Sequence, residues 1–237
     1  MKNIIKPYRK EFDYSYTSGA AVTIELLKAR PDLVEHVYIH SSFNQPEQIM
    51  ILCDQNGVAY TVDDVVFRRI NQKENTYILG IFKKYPSAIA TGASHVVLVN
   101  PADMGNLGTI IRTLTGFNIH DLAIVTPAAD IWNPKTIRAS MGSMFHLRFQ
   151  HFESIHEYLD SFSSHDIYSF MLDGDVVLYS GIAPKHQPYS LIFGNEATGL
   201  DESFKNIGTS VKIPQSMLID SLNLSVAVAL GVYLFKM

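Results

Sequence analysis

Apolar and polar positions along this chain switch repeatedly between a helical and an extended period. Over Gly19–Ala29, Val22, Leu26 and Ala29 form an apolar face with Ser18 placed to cap it, and Pro31 marks the end. Val34–His40 then reads as a strand, Pro46–Gln55 as a helix closing at Gly57, and Val58–Val62 as a second strand. A helix capped by Asp63 runs to about Asn71, and Thr76–Phe82 is a third strand. This alternation predicts a compact α/β unit over residues 14–85 with parallel strands. The stretch KYPSAIATGAS (84–94) is small and turn-rich, so the chain divides into a domain at 1–85, a linker at 86–94 and a second domain at 95–237.

The second domain repeats the alternation. His95–Val99 predicts a strand and Asn106–Phe117 a helix with Asn106 as its N-cap. Leu122–Thr126 is a strand, Pro134–Ser143 a helix, Phe145–Phe149 a strand, Glu153–Phe162 a helix and Ile167–Leu172 a strand. Leu191–Phe193 stops at Gly194, which leaves Asn195 and Glu196 on a loop. Val211–Ile213 stops at Pro214, after which Ser221, Leu222 and Asn223 precede the apolar helix Leu224–Phe235. That helix is too short to span a bilayer. Strand ends that deliver polar loops to one place are how open α/β sheets build ligand crevices.

Composition narrows the class. The chain has 47% hydrophobic and 18% charged residues, which is a globular balance. Its net charge of −4 is uneven, since residues 1–90 hold 11 Lys+Arg against 10 Asp+Glu, and residues 91–237 hold 8 against 13. Cations cluster at Lys2, Lys6, Arg9 and Lys10, at Arg68, Arg69 and Lys73, and at Lys83 and Lys84. Local positive charge is what phosphate contacts require, although solvated helix faces look the same. The single cysteine, Cys53, excludes an internal disulfide and reads as a small core residue. The histidines show no HExxH spacing, no metal site is expected, and no secretory signal or membrane span is legible, so a cytoplasmic protein is expected.

Four stretches, in order, carry a resemblance. NPADMGNLGTIIRT (100–113), NPKTIRASMGSMFHL (133–147), GNEATGL (194–200) and IPQSMLIDSLNLSVAVA (213–229) are similar to the motifs of the SpoU (TrmH) RNA ribose methyltransferases of the SPOUT superfamily. The resemblance implies a trefoil-knotted C-terminal methyltransferase domain with a parallel sheet and S-adenosylmethionine as cofactor, and the apolar C-terminal helix, with Tyr233 and Phe235 exposed on a lone subunit, predicts a homodimer through that domain. The resemblance further implies 2′-O-ribose methylation of rRNA or tRNA. From SGAAVTIELLK to ENTYILGIF the chain resembles, more weakly, the ribosomal-protein-like domain that precedes this fold in many members, which favours rRNA.

Carried over residue by residue, Gly194, Ile213 and Leu222, with Phe193, Asn195 and Pro214, are expected to bind the cofactor. Arg112, Asn106, Glu196, Ser221 and Asn223 are expected to form the catalytic site, Arg112 positioning the target nucleotide and Glu196 fixing Arg112 or its counterpart in a second subunit. Arg138, Arg68, Arg69 and Lys73 are candidate RNA contacts, an ion pair being the alternative for Arg138. Ala197 and Gln215 depart from the family pattern, where glycine and methionine are usual. Read singly, Asn106 and Asn223 are equally what helix caps look like, and Glu196 what a turn looks like. The alternative function is an RNA-binding module that keeps the fold without catalysis.

Overall fold

The computed structural model describes residues 5–70, 76–179 and 187–236. In chain order the elements are β1 (Tyr14–Ser18), α1 (Ala20–Ala29), β2 (Val34–Ile39), α2 (Glu47–Asn56), β3 (Tyr60–Val62), α3 (Asp64–Ile70) and β4 (Ile78–Lys83). Then follow β5 (His95–Val99), α4 (Met104–Gly116), β6 (Asp121–Val125), α5 (Pro134–Ala139), β7 (Arg148–Phe152) and α6 (Ile155–Ser161). The last are β8 (Asp166–Phe170), β9 (Val176–Val177), β10 (Tyr189–Phe193), β11 (Thr209–Lys212) and α7 (Leu224–Lys236). They form two compact units, residues 1–86 with 130–145, and residues 87–129 with 146–237.

The first unit is a four-stranded sheet in the order β1-β4-β2-β3. Its strands are mixed rather than all parallel: β2 runs parallel to β3, but β4 runs antiparallel to both β1 and β2. Neighbouring residues of β4 point to opposite faces, as a strand requires. Ile78 joins Leu27, Val37, Ile39, Ile49 and Cys53, while Leu79 joins Tyr16, Val66, Phe67 and Ile70. β1 was not expected, and Ser18 ends it instead of capping α1. The N-cap is Gly19, at φ 107°, and it contributes no side-chain cap bond. Asp63 does cap α3, its carboxylate accepting from the Val65 N–H at 2.9 Å.

Residues 130–145 complete this unit. Ser15 Oγ donates to the Trp132 carbonyl at 2.6 Å and Tyr8 to the Asp130 carboxylate. Phe82 meets Phe145 edge-on with ring centres 5.2 Å apart. α5 is shorter than the expected 134–143 helix, because Met141 (φ 54°) and Gly142 (φ 85°) turn the backbone left-handed after Ser140. The following strand is therefore displaced to Arg148–Phe152.

The second unit is a seven-stranded sheet, order β7-β6-β5-β10-β8-β11-β9, with every pairing parallel. Its inner strands HVVLV, DLAIV and YSLIF are buried almost throughout, the signature of a parallel sheet covered on both faces. α7 packs closely on the sheet at Gly231, where an added Cβ would come within 2.8 Å of Phe170 and 2.9 Å of Phe193. Those two rings stack with centres 4.3 Å apart. Among the described residues no helix is long and apolar enough to cross a membrane, and no group of three or more potential ligands could hold a metal ion.

Candidate active site

Three loops leave the sheet of the second unit at the carboxyl ends of its central strands. Residues 100–103 join β5 to α4, residues 194–200 follow β10, and residues 213–223 join β11 to α7. Beside them lies a cavity of about 400 Å³, a size suited to a nucleoside-sized ligand. Phe170, Phe193, Ile213, Leu222 and Leu224 give it apolar walls, and the backbone of 194–200 gives it a polar edge.

The 194–200 loop is tightly folded. Asn195 bridges back to Gly199, and the Asn195 side-chain oxygen accepts from the Ala197 N–H at 2.8 Å. Its Nδ2 donates to the Asn100 carbonyl at 2.7 Å, tying this loop to the one after β5. At Gly194 an added Cβ would lie 2.2 Å from the Gly199 carbonyl carbon and 2.4 Å from the Leu200 nitrogen. Both are backbone atoms, so this position requires glycine.

Glu196 joins the loops. Its carboxylate accepts from the backbone N–H groups of Ala102 (2.9 Å) and Asp103 (3.1 Å) and from Asn106 Nδ2 (3.2 Å). Asn106 Oδ1 in turn accepts from Asn223 Nδ2 at 3.0 Å. Asn223 also caps α7, its Oδ1 accepting from the Ser225 N–H at 2.8 Å. One polar chain thus connects the starts of α4 and α7 to the loop after β10. Burial raises the Glu196 pKa, but its several hydrogen-bond donors outweigh that and hold the carboxyl below the ordinary carboxylate value.

Two expectations change here. Asn106 is not the cap of α4: Asp103 is, accepting from the Asn106 N–H at 2.8 Å, and the helix begins at Met104. That frees the Asn106 amide for its bridging role. Glu196 contacts the α4 N-terminus and Asn106 rather than Arg112, which is exposed further along α4 and is not part of the cavity wall.

Phe193, Gly194, Asn195, Glu196, Ile213, Ser221 and Leu222 all line the cavity. Pro214, expected to bind the cofactor, is exposed and outside the wall, although its neighbours Ile213 and Gln215 line it. Arg68 and Arg69 are exposed on α3 and Arg138 is exposed on α5, all in the first unit, while Lys73 lies outside the described residues. Several wall residues were not singled out from the sequence: Phe170, Met171, Asp173, Glu202 and Asp220. No motif carries them, although Phe170 to Asp173 could have been found as the carboxyl end of an expected strand beside the other two.

Comparison with known proteins gives the chain's relatives. Residues 93–233, more than half of the chain, match the model of the SpoU rRNA Methylase family. The chain is 26% identical to the 23S rRNA (guanosine(2553)-2′-O)-methyltransferase RlmP of Bacillus subtilis over 91% of its own length and 85% of that protein. Among solved structures it is similar to an AdoMet-bound rRNA methyltransferase from Sinorhizobium meliloti, with 26% identity, a TM-score of 0.78, and coverage of 95% and 88% of the two chains. The fold also matches that of the SpoU methyltransferase AviRb from Streptomyces viridochromogenes, with 20% identity, a TM-score of 0.79, and coverage of 94% and 89%. By the match of residues 93–233 to that family model, the chain belongs to the SpoU rRNA Methylase family.

Proposed function

We propose that this protein transfers a methyl group from S-adenosylmethionine to a ribose 2′-hydroxyl of ribosomal or transfer RNA, with ribosomal RNA the preferred substrate. The observation that carries the reading is the convergence of the three loops on one cavity, joined through Glu196, Asn106 and Asn223. When bound, the cofactor supplies an activated methyl on a sulfonium centre, and the protein's task is alignment. Gly194 lets the 194–200 backbone approach an adenosyl group closely, while Ile213, Leu222 and Phe193 enclose its apolar faces. Ser221 borders the cavity with its hydroxyl available to a polar ligand group. Glu196 and Asn223 act as positioning residues, because their polar atoms hold the loops together. The loops at 194–200 and 213–223 are the segments we assign to the trefoil knot expected of this family.

Arg112 needs a second copy to act. It is exposed on α4, outside the cavity wall, where its guanidinium fork suits an RNA phosphate. α7 exposes Val226, Leu230 and Tyr233 at helical spacing, with Tyr233 edge-on to Phe117 of the 104–117 region. Phe235, also expected on that surface, is buried against Tyr168, Phe170 and Tyr189. We place a homodimer contact on the exposed stripe, with Arg112 of a second copy completing the catalytic site. The first unit, preceding the methyltransferase domain and resembling a ribosomal-protein-like fold, is assigned to RNA recognition through Arg68, Arg69 and Arg138. A cytoplasmic location fits a chain with one buried cysteine and an RNA substrate.

The test is methyl transfer from labelled S-adenosylmethionine to rRNA and tRNA, with the modified ribose mapped. Arg112→Ala is expected to keep cofactor binding and lose methylation by about 100-fold or more. Methylation at a base atom, or none on either RNA, would overturn the reading. Cofactor-independent RNA binding would instead favour a module that has kept the fold without the reaction.

A further inference from the structure

The cavity wall carries four carboxylates, Asp173, Glu196, Glu202 and Asp220, and no lysine, arginine or histidine among the described residues that line it. The four are not equivalent. Glu196 is committed to the N–H groups of Ala102 and Asp103 and to Asn106. Asp173 and Glu202 share the Lys205 ammonium, which hydrogen-bonds Asp173 and lies 3.0 Å from Glu202. Asp220 alone has no such counterpart: among the described residues its carboxylate accepts no hydrogen bond and pairs with no cation. What is held is its backbone. Gln215 Nε2 donates to the Asp220 carbonyl at 3.2 Å, closing the 215–220 loop at the cavity that Asp220, an exposed residue, helps to line.

An uncompensated carboxylate at the edge of an apolar-walled site attracts a cation and is indifferent to a neutral ligand of the same shape. Resting on the cofactor proposed above, we infer that Asp220 makes this site selective for ligand charge, favouring the sulfonium of S-adenosylmethionine over the neutral thioether of S-adenosylhomocysteine. The two ligands share the adenosine and the amino-acid end, so the walls at Phe193, Ile213 and Leu222 treat them alike. They differ in one methyl group and one positive charge. Asp220 acts on the charge, so its attraction is present before methyl transfer and gone after it, which eases release of the spent cofactor.

The experiment is isothermal titration of the full chain with S-adenosylmethionine, S-adenosylhomocysteine and sinefungin, whose amine places a positive charge near the position of the sulfonium. The wild-type protein is expected to prefer both cationic ligands, with the preference shrinking as salt is raised. Asp220→Asn is expected to reduce that preference about three- to five-fold, in the range of an exposed ion pair, with affinity for S-adenosylhomocysteine unchanged. Asp220→Glu is expected to restore most of it. Equal loss for all three ligands in Asp220→Asn would mean a structural role, and an undiminished preference would mean the discrimination lies elsewhere; either overturns the inference. A wild-type chain that binds none of the three would remove the cofactor reading itself, and this inference with it.

Discussion

Glu196 shows how a single side chain can tie the loop after β10 to the start of α4. Replacing it with alanine leaves the Ala102 and Asp103 N–H groups to water, a loss of about 0.5–1.5 kcal/mol for donors that are already exposed. Urea unfolding of Glu196→Ala should show that loss, and Glu196→Gln, which keeps one acceptor oxygen, should recover part of it. Because the folded state holds this carboxyl below its ordinary value, its contribution is present above that value and disappears as pH falls through the folded pKa. A different residue sets the response at milder acidity. His95 is 1% exposed; its Nε2 donates to the Ala90 carbonyl at 2.8 Å, and its Nδ1 accepts from the Tyr158 hydroxyl at 2.9 Å. Burial, the dominant cause, pushes its pKa down from 6.5 to about 4. The neutral ring is therefore favoured by folding, so this stabilisation is complete above 6.5 and is lost as pH falls from 6.5 toward 4. The loss is on the order of 3 kcal/mol. Comparing unfolding free energies across that range for the wild-type protein and His95→Gln checks this: the slope should flatten in the variant, and an unchanged slope would assign the effect to other groups.

At the scale of elements, the glycine at the end of β10 is the most constrained point of the site. Gly194→Ala forces a methyl group against the Gly199 and Leu200 backbone, which cannot move without opening the 194–200 loop. We expect this variant to lose cofactor binding while keeping the helical content of the wild type by circular dichroism. Gly92→Ala, where an added Cβ meets nothing within 4 Å, should bind normally. What the sequence made legible follows from burial. β5, β6 and β10 are apolar along their length because both faces of the sheet are covered, so their runs stand out. β1 is hidden because its buried positions include Ser15 and Thr17, whose hydroxyls are satisfied by the Trp132 carbonyl and by Thr23. A reader of the sequence sees YSYTS as surface. The α4 cap was misplaced for a related reason: Asp103 and Asn106 are both good caps, and only the folded loop decides which carboxylate or amide reaches the free N–H groups. The motifs placed Asn106, Glu196 and Asn223 at one site, but the bonds between them join residues 90 and 117 positions apart, which no local pattern encodes.

At the scale of the whole molecule, the first unit cannot be cut from the chain at the apparent linker without losing part of its own core. Residues 130–145 return to it from the middle of the second unit, bringing Ile131, Ile137 and Met144, each fully buried, and Phe145 at 5% exposure. Each such side chain contributes about 1.5–3 kcal/mol when removed from water, comparable in sum with the net stability of a small domain. Without that segment, Phe82 loses its contacts with Phe145 and Trp132, Ser15 loses the Trp132 carbonyl, and Tyr8 loses Asp130. A fragment of residues 1–86 should therefore unfold without a cooperative urea transition. The same fragment carrying residues 130–145 through a flexible linker should regain one. Conversely, residues 87–237 alone would expose the apolar side of 130–145, so any change in RNA affinity on deleting the first unit must be read beside a measure of aggregation, such as light scattering. A cooperative transition for residues 1–86 alone, at a midpoint equal to that of the linked form, would show that the returning segment is an ornament on an already complete core.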